Sequence, residues 1–319
     1  MAATQVELVF LSRADVERLL DLDALMDVLA DAFRALSAGG TSTPPRTAAR
    51  SAAGLLGVMP GFVPGLGLEA KLVSVFADNH RVGLPSHQAL IALFDEETGS
   101  PLAVMDGTHV TAFRTAASSA LSARLLARPE ARVLAVLGAG VQGAAHLQAM
   151  AHVRRFDEVR VASRSLDHAE ALASRSPMAR AMRSFEDAVR GADLVCCCTD
   201  ASEPILRYEW LKPGAHVTSV GANFEGPELD PETVRSGRLF VESHVAFQAP
   251  PAGAAELVGL DASTAAELGE VLSGAAPGRT SESEITVYKS MGHAVEDAAA
   301  ARLVYDRALA EGAGLRVPL

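Results

Sequence analysis

One stretch constrains this chain more than any other: Ala131 to Gly143, reading ARVLAVLGAGVQG. Apolar Val133–Leu137 predicts a buried strand. It runs into a G-x-G-x-x-G turn, and the small and apolar residues from Ala144 to Met150 predict a helix. Each glycine has a mechanical reason. Gly138 permits a tight turn, Gly140 lets backbone approach a pyrophosphate, and Gly143 lets helix and strand pack closely. A helix that begins there presents N–H groups and a partial positive charge to phosphate oxygens. The glycine spacing alone is a weak signal. With a strand before it, a helix after it and a second strand ending about twenty residues on, it predicts a dinucleotide site.

That second strand, Glu158–Ala162, ends in Ser163, Arg164 and Ser165. Sites that select NAD usually place an acid at this tip to accept from the ribose 2′-hydroxyl. None stands here. A guanidinium flanked by two hydroxyls suits a 2′-phosphate, through paired charged hydrogen bonds. The expected cofactor is NADP(H), with NAD(H) less favoured; the plain alternative is an exposed loop arginine with no ligand.

The 319 residues suffice for two domains with real cores. Apolar residues make up 49% and charged residues 21%, which fits a globular protein. A formal charge of −11, with no basic stripe, argues against nucleic-acid binding. No signal peptide and no membrane-spanning apolar run is visible, so no membrane partner and a cytoplasmic location are expected. Cys196, Cys197 and Cys198 are consecutive in an apolar run. Adjacent strand residues point to opposite faces, so the trio predicts core thiols in a reducing compartment and no metal site.

Ser12 predicts the start of an opening helix with Asp15 as capping partner, continuing through Leu22, Met26, Leu29 and Phe33 to Gly39-Gly40. A strand is expected over Glu69–Phe76, and a hairpin from Gln88–Phe94 and Pro101–Met105. The first part thus predicts an α+β domain with a mostly antiparallel sheet. From about Thr111 a small-residue helix leads into alternating strands and helices, the pattern of a Rossmann-type, doubly wound parallel α/β sheet. Its strands are Val133–Leu137, Val159–Ala162, Leu194–Cys198, His216–Val220 and Leu239–Val241. A long amphipathic helix, about Gly292 to Glu311, could pack back on the first domain. The expected division is 1–118, completed by 292–319, and 119–291.

Lys71 shares a strand face with Val73 and Val75. If buried, its pKa falls and it can act as acid, base or donor near neutral pH. The alternative is an edge-strand lysine that discourages aggregation. Arg46 follows Pro44-Pro45, and Arg114 lies among small residues in Thr111–Ala117. Small neighbours leave room for a ligand carboxylate gripped by two parallel hydrogen bonds. Either arginine could equally form a surface ion pair. Ser86-His87 precede a strand, where a lone histidine is more often structural. Thr199 and Val220-Gly221 stand at the carboxyl ends of strands, where α/β sheets bind ligands. Lys289–Gly292, including Ser290, joins a strand to the last helix and is another possible ligand edge.

Together these stretches resemble the ornithine cyclodeaminase/mu-crystallin family, over essentially the whole chain. The matching residues are Glu69-Ala70-Lys71, Pro85–Gln88, Arg114–Ala117, Gly138–Gln142, Glu203–Leu206, Lys212–His216, Glu228–Asp230, and Lys289–Gly292 with Val295-Glu296-Asp297. The pattern is most similar to the mu-crystallin branch, whose members reduce cyclic ketimines with NADPH. The resemblance implies that Arg46, Lys71 and Arg114 hold a substrate carboxylate and that Lys71 also carries the proton. It implies that Ser86, His87, Arg114, Thr115, Gly138, Ala139, Gly140, Val141, Gln142, Ser163, Arg164, Ser165, Thr199, Val220, Gly221 and Ser290 contact the cofactor. Met59, with Phe62, His293 and the loop Phe247–Gly253, would shape the substrate pocket. Homodimers joined through the sheet of the first domain are implied as well.

Three positions depart from the family pattern. Asn223 stands where cyclodeaminases carry an aspartate base, and an amide cannot serve as that base. Gly57 replaces a glutamate that holds the distal amine in ornithine-type members. No acid directly precedes Gly253, although Glu256 lies nearby. The expected activity is NADPH-dependent reduction of a C=N bond beside a carboxylate, in a cyclic ketimine or imino acid, or amino-acid oxidation in reverse. An ammonia-releasing, NAD-dependent cyclodeaminase and a catalytically silent NADPH-binding protein are the alternatives.

Overall fold

The computed structural model describes residues 7–221 and 226–319, and of His80 the backbone alone. Asn223 therefore lies outside the described residues. The chain opens with β1 (Glu7–Leu11), α1 (Arg13–Leu19), α2 (Leu22–Ser37), β2 (Thr47–Arg50), β3 (Leu55–Val63), β4 (Gly67–Val75), β5 (His87–Phe94) and β6 (Pro101–Asp106). The long α3 (Gly107–Leu126) leads to β7 (Val133–Leu137), α4 (Val141–Ala151), β8 (Glu158–Ala162), α5 (Leu166–Ala173), β9 (Ala179–Ala181), α6 (Phe185–Val189) and β10 (Leu194–Cys197). Then come β11 (His216–Ser219), α7 (Pro231–Ser236), β12 (Arg238–Val241), β13 (Ala266–Glu267), α8 (Leu268–Ser273), β14 (Thr286–Lys289), α9 (Ala294–Glu311) and β15 (Leu315–Pro318). Contacts divide the chain into Met1–Arg114 with His293–Leu319, and Thr115–Gly292.

The first unit is built on a seven-stranded sheet in the order β15-β1-β6-β5-β4-β3-β2. All its pairs are antiparallel except β1 with β6. Side chains alternate between faces. Met59, Lys71, Ile91 and Met105 are register partners across β3, β4, β5 and β6, and all four are buried. Helix α9 packs on β3, β4 and β5, and α2 packs on α9. The opposite face is open: Leu56, Leu68, Leu72, Leu90 and Phe10 are each at least 38% exposed. Lys71 is thus on an interior strand, and the edge-strand reading of it is set aside.

Two local differences from the sequence expectation have clear causes. The capping box at Ser12 and Asp15 forms as predicted, but the opening helix breaks at Leu20, which takes an extended backbone. Asp21 then caps α2 by accepting from the Ala24 N–H at 2.9 Å. The end strands β1 and β15 pair with each other, so their partners are 305 or more residues apart and invisible to local pattern.

The second unit holds eight parallel strands in the order β13-β12-β14-β11-β10-β7-β8-β9. β7 lies beside both β8 and β10, so the chain winds outward in both directions from it. That reversal is the switch point where such sheets bind ligands. Cys196 and Cys197 are fully buried in β10, and burial pushes the Cys196 thiol up to about 12.

Candidate active site

The first unit concentrates ionisable side chains in its core. Lys71 Nζ lies 2.7 Å from Asp297 Oδ2. Arg114 Nε donates to Asp297 Oδ1 at 3.0 Å, and its Nη1 donates to Glu296 Oε2 at 3.1 Å. Asp297 therefore bridges the two cations, and Glu296 and Asp297 together fix the plane of the guanidinium. Each of these side chains is at most 5% exposed. β4 supplies Lys71, the first half of α3 supplies Arg114, and the first turn of α9 supplies both acids.

Burial governs the titration of this cluster. It opposes the charge on Lys71, and although Asp297 works the other way the net pKa is lowered. Burial also opposes the charges of Arg114 and Asp297, yet their mutual attraction outweighs it, raising the arginine and lowering the aspartate. Burial raises the Glu296 carboxyl. His293 caps α9, taking the Val295 N–H on Nδ1 at 3.4 Å, and donates its own N–H to Glu296 Oε1 at 2.8 Å. Burial, with the Arg46 charge nearby, drops the His293 imidazole to about 4. Arg46 is half-buried just before β2, and Met59 is buried beside Lys71 on β3. Thus Arg46, Met59, Lys71, Arg114 and His293 all belong to this unit, in or around one charged core. Ser86 and His87 stand at the start of β5, with Ser86 Oγ and His87 Nδ1 3.1 Å apart.

The second unit carries the glycine turn. Gly138 has φ +109°, and a Cβ there would lie 2.5 Å from the Cys198 carbonyl oxygen. A Cβ on Gly143 would overlap the Gly138 carbonyl oxygen, so α4 sits directly on the turn. Above Gly140 a Cβ would meet nothing within 4 Å. Gly140 is the N-cap of α4, and no side chain caps it. Free space over the middle glycine and uncapped N–H groups at the helix start fit a pyrophosphate. Ser163, Arg164 and Ser165 follow β8; Arg164 is exposed, and Ser165 caps α5.

The carboxyl ends of the neighbouring strands are braced by a network that sequence reasoning did not find. Glu228 Oε1 accepts from Thr199 N and Oγ1 at 2.7 and 2.8 Å, and Oε2 accepts from Ser219 Oγ and Gly221 N at 2.7 and 2.9 Å. Lys289 Nζ donates to Gly221 O at 2.6 Å and Ser219 Oγ at 3.1 Å, and pairs with Glu256 Oε1 at 2.9 Å. Glu256 thus meets a buried lysine even though no acid directly precedes Gly253. Val220 N donates to Cys197 O, and the Ser290 hydroxyl accepts from Gly292 N. Thr115 is buried early in α3.

A sheet wound on both sides of a glycine turn, with a buried strand lysine and helix arginine in a separate unit, is the architecture of a nicotinamide-dependent dehydrogenase class. The sequence model of the ornithine cyclodeaminase/mu-crystallin family matches residues 6–312, and the chain belongs to that family. It is 45% identical over 273 residues to ketimine reductase mu-crystallin of Mus musculus, covering 84% of this chain and 86% of that one. The Thermococcus litoralis Δ1-pyrroline-2-carboxylate reductase, solved with NADH and L-proline, superposes with a TM-score of 0.90 at 33% identity, covering 97% and 100% of the two chains. An archaeal alanine dehydrogenase dimer with bound NAD gives a TM-score of 0.88 at 30% identity, covering 98% and 99%.

Proposed function

We propose that this chain is an NADPH-dependent reductase of a C=N bond next to a carboxylate, acting on a cyclic ketimine or imino acid. The observation that carries the reading is the buried Lys71–Asp297–Arg114 arrangement, a proton-bearing ammonium fixed beside a guanidinium on the covered face of a sheet. Two of the named relatives, a ketimine reductase and a Δ1-pyrroline-2-carboxylate reductase, support the reading. The first unit serves as the substrate-binding and dimerisation domain, and the second as the dinucleotide-binding domain.

When bound, the reduced nicotinamide supplies hydride to the imine carbon. Arg46 and Arg114 anchor the substrate carboxylate, and Met59 packs against the substrate. Lys71 hydrogen-bonds the imine nitrogen and gives it a proton, which its lowered pKa makes easier near neutral pH. Gly138 to Gln142 cradle the pyrophosphate. Ser163, Arg164 and Ser165 take the 2′-phosphate, and Ser86, His87, Thr115, Thr199, Val220, Gly221 and Ser290 hold the remainder of the cofactor. The Thermococcus relative was solved with NADH, so the NADP(H) assignment rests on Arg164 and on the lack of an acid at that tip.

Gly57 puts no acid on β3 for a distal amine, which weighs against ornithine cyclodeamination. We assign a homodimer in which a second copy covers the open sheet face bearing Leu56, Leu72 and Leu90. Three free, buried thiols fit a reducing compartment, and we assign the cytoplasm. Among the described residues no helix is long and apolar enough to cross a membrane.

A screen of NADPH oxidation over cyclic ketimine carboxylates and pairs of 2-oxo acids with amines tests the reading. Oxidation with at least one substrate is expected. Ammonia release from ornithine or lysine without net NADPH change would replace it with the cyclodeaminase. Tight NADPH binding with no turnover across the panel would leave a binding protein.

A further inference from the structure

Glu69 is the one acid of the charged core that is paired with nothing: among the described residues neither Oε1 nor Oε2 has a hydrogen-bond partner, and the residue is 3% exposed. It sits on β4 two residues before Lys71, on the same face. Same-face neighbours on a strand stand about 7 Å apart along it. Its carboxyl reaches over its cross-strand partner Gly61, where a Cβ would come within 3.0 Å of Glu69 Oε1 and of Ala294 at the start of α9. A buried carboxylate without donors is costly, so such a group ordinarily holds its proton.

The charges that face Glu69 support that state. Lys71 comes from its own strand, Arg114 from α3 and Asp297 from α9, while Glu296, His293 and Arg46 act on those groups within the same charged core. Burial, and next the Asp297 charge, push the Glu69 carboxyl well above the ordinary range, against the smaller pull of Lys71 and Arg114. The positive end of α9 works in the same direction as those cations, yet no N–H of its first turn reaches a Glu69 oxygen. With His293 neutral, Arg46, Lys71 and Arg114 carry three positive charges against Asp297, Glu296 and a substrate carboxylate. The sum is zero only if Glu69 stays protonated.

Resting on the reductase reading above, we propose that Glu69 is the proton reserve for Lys71. Reduction adds hydride from the nicotinamide to the imine carbon and a proton from Lys71 Nζ to the nitrogen. Lys71 is left as a neutral amine, cut off from solvent. The Glu69 carboxylic acid returns a proton to it, directly after a rotamer change or through one water, and becomes a carboxylate that is reprotonated once product has left the site and water enters it. Glu69 acts through Lys71 and is a positioning residue for the proton.

Glu69→Gln copies the shape of the neutral acid without its proton. Turnover is expected to fall by at least about tenfold while KM stays within about twofold, and kcat is expected to become dependent on buffer acid concentration. Glu69→Asp restores turnover in part. Two readouts need no turnover. The infrared band of a protonated carboxylic acid, present in the wild type at neutral pH, should vanish in Glu69→Gln. A folded-state pKa above the unfolded one contributes stability that is lost as pH rises, so the Tm advantage of Glu69→Gln should grow from about pH 4 to pH 7. Wild-type kcat and buffer independence in Glu69→Gln, or no acid band in the wild type, overturns the reserve alone. A wild type that oxidises NADPH with no imine overturns the reductase reading and the reserve together.

Discussion

Two buried lysines, one in each unit, show how similar groups serve different ends. Lys289 is fully buried, and its ammonium meets Ser219, Gly221 and Glu256. The neighbouring Glu228 collects four donors on its two oxygens. Lys289 has two hydrogen bonds and an ion pair, Glu228 is satisfied on both oxygens, and the result is a brace that holds the ends of β10, β11 and β14. Lys71, 2% exposed, meets the single carboxylate of Asp297, which it shares with Arg114. Beside it stands Glu69, whose carboxyl has no hydrogen-bond partner among the described residues. An ammonium with acceptors on all sides cannot give up a proton without breaking them; one with a single shared partner and an orphaned acid nearby can. Incomplete satisfaction, more than burial itself, separates the reactive cluster from the structural one.

The largest expected effect probes this contrast directly. Lys71→Met should retain dinucleotide affinity in a fluorescence titration but lose about 10²- to 10⁴-fold in turnover. Near-normal turnover would remove the distinction. Lys289→Met should behave in the opposite way, leaving Glu256 buried without its cation and lowering the unfolding free energy by about 3–5 kcal/mol in denaturant melts. If it instead abolished turnover in a fully stable protein, the brace would have to be reassigned to chemistry. Arg164→Ala sharpens the comparison within the second unit: NADPH affinity should fall about 10- to 100-fold and NADH affinity should hold. Smallest is a pH effect. Burial works against the Asp297 charge, but Arg114 and Lys71 hold its folded pKa below the unfolded one. Its contribution is therefore present above the unfolded pKa of about 4 and lost as pH falls through the folded value. Asp297→Asn should flatten the acid limb of a Tm-versus-pH curve, and an unchanged limb would show that other carboxylates control it.

Much of the second unit was legible because glycine is demanded there by geometry. Gly138 needs a positive φ and Gly143 a missing Cβ, so the residues themselves announce the turn. Lys71, Arg46 and Arg114 were legible as chemistry-bearing types, and only the family resemblance implied that they act together. Glu296 and Asp297 lie in the first turn of α9, where acids ordinarily answer the helix dipole, so nothing local marks them as partners of residues 182 or more positions earlier. The final helix was read as amphipathic, yet its first eight residues, Ala294–Ala301, are all buried. Alanine-rich sequence hides such burial because small side chains suit either setting. The break at Leu20 escaped notice because the apolar spacing carries on across it, and only the Asp21 cap betrays a second start.

The three adjacent cysteines give the molecule a built-in gauge of its own opening. Cys196, Cys197 and Cys198 are all buried, and burial raises each thiol far from the reactive thiolate form. An alkylating reagent can reach the Cys196 and Cys197 sulfurs only when the centre of the parallel sheet comes apart. Mass spectrometry of the labelled chain would then count openings of that sheet, and a ligand that tightens the second unit would slow the count.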